Sequence, residues 1–143
     1  MGTVHAELTL KNAIDIADYE RGLIKEQDVR SVIVKAVVDT GAMSLVISEE
    51  LRKKLGLTVK GEKMALVANG QRVLCKVTEA VEIRWKDRYS SIPAVVIPGA
   101  AKVLLGVIPL EDMDLIVNPV TQELVGAHGD VIECLALALD ALE

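Results

Sequence analysis

Val37-Val38-Asp39-Thr40-Gly41-Ala42 decides how this chain reads, because it places a carboxylate at the end of an apolar run and follows it at once with a glycine. Upstream, Ser31 to Val38 is rich in β-branched residues and reads as a strand running into Asp39. An aspartate there stands at the exit of a buried strand, partly shielded from water, where its ionisation can be tuned. Asp and Gly are also common turn residues, so the tripeptide alone is compatible with an ordinary turn.

Downstream, Ser48 to Gly56 offers an N-cap, an acidic first turn, late lysines and a terminal glycine, the marks of a short helix. Asn69-Gly70 then separates two apolar stretches, 64–68 and 71–75, and predicts a β-hairpin. A second strand pair, 77–85 and 89–97, flanks Lys86-Asp87-Arg88, with Pro93 favouring an edge or a strand start. Lys102 to Ile108 is a buried-looking run interrupted by Gly106, and Pro109 opens a short helix. Residues 115–117 and 123–125 form a further hairpin around Asn118-Pro119. Towards the N-terminus, 4–10 alternates as a strand does, and the charged stretch from Asn12 to Arg30 reads as a surface connection with a helical turn. A strand, a glycine-containing loop and a short helix thus occur around Gly41 and again around Gly106. Only the first copy carries a carboxylate, a pattern of imperfect internal repetition.

With Leu45-Val46-Ile47 and Val103-Leu104-Leu105-Gly106 added, these motifs resemble the retropepsin-like aspartic protease family over roughly 31–125. The resemblance implies an all-β fold: a closed retropepsin-like (acid protease) barrel with one or two short helices. It implies a homodimer in which each subunit gives one Asp to a shared site. By position, Asp39 is then the catalytic residue, Thr40 locks the two active loops together, Gly41 contacts substrate through its backbone and Ala42 completes the loop. Asn69 and Gly70 match the flap tip, and Gly106 the glycine beneath the active loop. Leu45, Val46 and Ile97 are candidates for a pocket that prefers apolar side chains.

Departures from the family pattern are informative too. Ala42 stands where many pepsin-like enzymes have a hydroxyl that favours the charged carboxylate, which points to activity extending toward neutral pH. Retroviral members pair an acid at the position of Met43 with an arginine at that of Val107. Here both are apolar, and replacing a buried ion pair by two packed apolar groups is often neutral or better.

Composition narrows the remaining classes. Of 143 residues 51% are hydrophobic but only 2% aromatic, with no Phe, so the core is built from Val, Ile, Leu and Ala. The net charge of −5 comes from dispersed acids and bases without the basic stripe that nucleic acid requires. Cys75 and Cys134 lack metal-ligand spacing and are expected to be buried free thiols. His5 and His128 sit in no nucleophilic motif, the glycines never form a phosphate-binding spacing, and no metal or cofactor is expected. Met1 to Leu10 has no basic stretch followed by an apolar one, and no window approaches the roughly 18 apolar residues of a membrane span. The expectation is a cytoplasmic single domain over 1–143, with core 31–125 and a tail, 126–143, able to serve as an interface segment. Within that tail 129–141 is apolar, with a periodicity that fits neither strand nor helix.

The function expected is that of an aspartic endopeptidase cleaving extended peptides. Two neighbouring carboxylates share a proton, so one takes a proton from water while the other polarises the scissile carbonyl. Asp39-Thr40-Gly41 occurs once, so the dyad needs two copies. The alternative is a dimerisation or peptide-binding module that keeps the fold with little or no turnover. A purely structural β-domain requires the Asp39 and Gly106 motifs to coincide by accident.

Overall fold

The computed structural model of the chain describes residues 2–131. It is mostly β with short helices. Strand β1 (His5–Asn12) leads into helix α1 (Ala13–Glu20), a 3-10 turn (Glu26–Asp28) and β2 (Ser31–Val38). Then come β3 (Leu45–Ile47), helix α2 (Glu49–Leu55), the long hairpin β4 (Val59–Leu66) and β5 (Arg72–Trp85), and β6 (Arg88–Val96). The chain continues through β7 (Leu104–Leu105), helix α3 (Val107–Asp112) and the hairpin β8 (Leu115–Asn118) and β9 (Glu123–Gly126).

Seven strands form one sheet in the order β1-β2-β7-β3-β6-β5-β4, and β1 also pairs with β5, so the strands return on themselves as a ring with β4 standing outside it. β1 lies antiparallel to β2, with Leu8 opposite Val34, and uses its far half against β5, with Leu10 opposite Ile83. Strict alternation along β1 turns Ala6, Leu8 and Leu10 inward and His5 and Glu7 out. Leu8, Leu10, Leu45, Ile47, Ile83 and Leu105 are fully buried, and with no Phe available these aliphatic chains fill the interior. Each contributes roughly 1.5–3 kcal/mol of burial free energy.

Helix α2 ends where its sequence says it should. Ser48 Oγ accepts from Leu51 N–H at 3.1 Å, and Gly56 takes the left-handed conformation at φ 62° that closes the last turn. The helix turns Leu51 and Leu55 into the core.

Three expectations need correction. The segment 12–30 is no mere surface connection: Asn12 caps α1, its Oδ1 accepting from Ile14 N–H at 2.9 Å and Asp15 N–H at 3.1 Å. Its Nδ2 donates to the Leu55 carbonyl at 2.8 Å, tying α1 to the end of α2. Among the described residues there are accordingly three α-helices rather than one or two. Residues 71–75 and 77–85 fuse into the single strand β5, because no Gly or Pro separates them and a register shift between Val77 and Ala80 absorbs the bend. Pro93 keeps the edge role expected of it: within β6 it has β5 alone as a neighbour among the described strands, and β3 joins from Ala94 onward. The missing N–H therefore costs no ladder bond on the β3 side.

Trp85 and Tyr89 brace the β5–β6 turn, with Lys86 Nζ 4.6 Å from the Trp85 ring centre and Arg84 Cζ 5.1 Å from that of Tyr89. Cys75 is buried in β5. Cys134 and most of the 129–141 segment lie outside the described residues. No helix among the described residues is long and apolar enough to cross a membrane.

Candidate active site

Asp39 leaves β2 at the point where that strand runs parallel to β7, with Val38 opposite Leu105. Its backbone N–H donates to the Leu105 carbonyl at 3.0 Å, which fixes the residue beside β7. Ala42 N–H donates to the Asp39 carbonyl at 3.1 Å and closes the turn. Gly41 N–H donates to Asp39 Oδ1 at 2.8 Å, so the loop itself orients the carboxylate. Asp39 is half-buried, while Thr40 and Gly41 are exposed.

The loop is held from below by backbone alone. Gly106 N–H donates to the Ser44 carbonyl at 2.9 Å, Val107 N–H to that of Ala42 at 2.8 Å, and Ile108 N–H to that of Met43 at 2.9 Å. A Cβ at Gly106 would stand 2.7 Å from the Ala42 carbonyl oxygen and the Met43 carbonyl carbon, and closer still to the Ser44 carbonyl oxygen. Only glycine permits so close an approach. Ser44 Oγ donates to the Pro93 carbonyl at 3.3 Å and ties the loop to β6.

Above this loop lies a cavity of about 610 Å³. Asp39, Gly41, Ala42, Met43 and Ser44 form one side of it, and Val46, Val95, Ile97 and Leu104 the wall. Residues 63–68, the end of β4 and the start of its turn, line it as well. Among the lining side chains Asp39 and Lys63 are the charged ones, and most of the rest are apolar.

Val46 and Ile97 thus face the same space as Asp39, whereas Leu45 does not. Leu45 is fully buried in the core, and in a strand its neighbour Val46 must face the other way. Asn69 and Gly70 sit at the tip of the hairpin, beyond the residues that line the cavity. The tip is a braced turn: Gly70 at φ 84° donates to the Val67 carbonyl at 2.9 Å, and Gln71 N–H donates to Asn69 Oδ1 at 2.9 Å. Sequence reasoning missed Lys63, Met64 and Val95 as lining residues. Strand alternation offers no signal for the first two, because every residue from 63 to 68 lines the cavity.

A half-exposed carboxylate, backbone donors beside it and an apolar trough large enough for several side chains suit the binding of an extended peptide and the activation of water. Among the described residues, no three Asp, Glu, His or Cys side chains gather as a metal site would require. A search of curated proteins found no match. A family model described as aspartyl protease matches residues 26–108, from the 3-10 turn through β2, the Asp39 loop and the hairpin to Gly106 and the start of α3. With more than half its length matched, the chain belongs to the retropepsin-like aspartyl protease family.

Proposed function

We propose that the chain is an aspartic endopeptidase whose active site forms between two copies, Asp39 of each meeting across a two-fold axis. The observation that carries this reading is that Asp39 lines a largely apolar cavity together with residues 63–68 of β4 and its turn, in a chain of the aspartyl protease family. Two carboxylates a few ångströms apart cannot both ionise, so the pair holds one proton. The ionised member takes a proton from water as it attacks the scissile carbonyl, and the protonated member donates to the carbonyl oxygen. The tetrahedral intermediate collapses as the leaving amine is protonated and the C–N bond breaks. Thr40, exposed on each loop, contacts its counterpart, and Gly41 presents backbone to the peptide. The ring of strands serves as the acid protease barrel of each subunit, and 1–143 as one domain.

Substrate lies as a strand along β4, which among the described strands pairs with β5 alone and so offers a backbone edge beside the cavity. Val46 and Ile97 take its apolar side chains.

A second reading, a peptide-binding module with little turnover, draws on the braced hairpin tip. Hydrogen bonds within Val67–Gln71 stiffen a flap that must close for catalysis. One experiment separates the two: cleavage of an unbiased peptide mixture across roughly pH 3 to 8 by the protein and its Asp39→Asn variant. The enzyme reading expects cleavage by the former, at least about a thousandfold loss in the latter, and a disproportionate fall on dilution. Equal inertness of two folded dimers that still bind peptide supports the module.

A further inference from the structure

Lys63 is the cationic side chain among the residues lining the Asp39 cavity. Its orientation follows from strand geometry. Along β4, Lys63, Ala65 and Val67 share one face, and Ala65 and Val67 are half-buried. Met64 and Leu66, on the other face, are 59% and 73% exposed, although they too touch the cavity, and Lys63 is itself exposed. Across the hairpin Lys63 stands opposite Cys75, which is 1% exposed, so Lys63 leaves the strand on the side that packs at Cys75 while its own side chain stays exposed to what enters the cavity.

Of the neighbouring charges on the stem, Lys76 is engaged elsewhere. Glu62 stands opposite Lys76, and Lys76 Nζ binds Glu49 Oε2 at 2.8 Å. Lys63 takes part in none of the ion pairs among the described residues. An ammonium on a largely apolar wall attracts a negative group from whatever enters, and rejects a cationic one.

We propose that Lys63 selects substrates, pairing with a Glu or Asp side chain that lies within a few residues of the cleaved bond. This specificity rests on the peptide-cleaving reading above. Because a bound strand presents alternate side chains to one face, with roughly 7 Å between them, a single register position meets Lys63. The preferred substrate is therefore an apolar segment carrying one acidic residue at a fixed distance from the scissile bond.

The test uses one cleavable apolar peptide with Glu placed in turn at each of several positions on either side of the bond, each paired with its Gln counterpart. Cleavage by the protein, Lys63→Gln and Lys63→Glu is read as kcat/KM. Binding is read by fluorescence anisotropy on Asp39→Asn, with and without Lys63→Gln, so that affinity is seen without turnover. The expected result is one position at which Glu is favoured over Gln by about tenfold, in both readouts and less at high salt. Lys63→Gln abolishes the preference, and Lys63→Glu turns it toward a Lys peptide. Equal handling of Glu and Gln at every position, or a preference that survives Lys63→Gln, overturns the proposal. Cleavage without charge preference sinks the specificity and leaves the protease reading standing. Discrimination in binding through Lys63, with no cleavage by the unaltered protein, does the reverse.

Discussion

Gly106 shows how much a single residue can disclose and how much needs the fold. A glycine after Val103-Leu104-Leu105 is conspicuous in the sequence, and its backbone does lie directly against residues 42–44. The neighbours of a Cβ at Gly106 are backbone atoms that themselves hold the Asp39 loop, so they cannot swing aside as a side-chain tip would. Gly106→Ala is expected to lower stability by about 3 kcal/mol, seen as a lower denaturation midpoint with an unchanged slope. A loss below about 0.5 kcal/mol would show that the loop yields easily. The place of Asp39 at the exit of a strand was legible from the β-branched run that ends at Val38 and the glycine that follows at Gly41. Leu45 was not, because in a three-residue strand the period of two says that neighbours face apart but not which one faces the core. Lys63 was hidden more deeply. Nothing local says that the end of β4 lines the same cavity as the Asp39 loop, and without that fact a lysine in a strand reads as solvated.

At the scale of elements, charge counting misjudged the stretch around α1. Many ionic side chains in a short span suggested a solvated connection, but two of them answer each other. Asp15 accepts from Arg30 Nε at 2.8 Å, from its Nη2 at 2.9 Å and from its backbone N–H at 3.0 Å. Fifteen positions separate the partners, beyond the reach of any helix-spacing rule. Hydrogen bonds from the Arg30 side chain, above all, hold the Asp15 carboxyl below the usual carboxylate range. The folded chain thus keeps Asp15 ionised at a pH where the unfolded chain has begun to protonate it. Its stabilisation is complete above the unfolded value and is lost as pH falls through the lower folded value. Asp15→Asn should cost about 1–2 kcal/mol at neutral pH, a range discounted because the Arg30 side chain is half exposed. The gap from the unaltered protein should narrow below about pH 4, and urea unfolding at several pH values measures it. A gap that stays constant into acid would assign the cost to something other than the ion pair. α2, by contrast, was legible almost to the residue, because Ser48 and Gly56 mark its ends by local chemistry alone.

For the whole molecule, closure of the strand ring depends on β1 pairing with both β2 and β5, which no local signal announces. β1 also lies ahead of the 26–108 match, yet it supplies Leu8 and Leu10 to the core. The chain nevertheless carries a single Asp-Thr-Gly, so on the proposed dyad mechanism each copy contributes one carboxylate. Beside that loop Met43 is 68% and Ile108 44% exposed, an apolar rim of the kind that a second copy would cover. If activity belongs to the pair, a heterodimer of intact and Asp39→Asn chains has one carboxylate facing an amide and cannot share a proton. Asn keeps the Oδ1 that accepts from Gly41 N–H, so the variant should fold and pair as well as the intact chain. At fixed total protein, an equal mixture equilibrated by random exchange should therefore retain about one quarter of the activity of the intact protein alone. Independent monomers would retain about half, since each chain then acts without regard to its neighbour. Titrating the mixing ratio at constant total concentration distinguishes a quadratic fall from a linear one, and a linear fall would move the second proton-handling group from the partner into this chain.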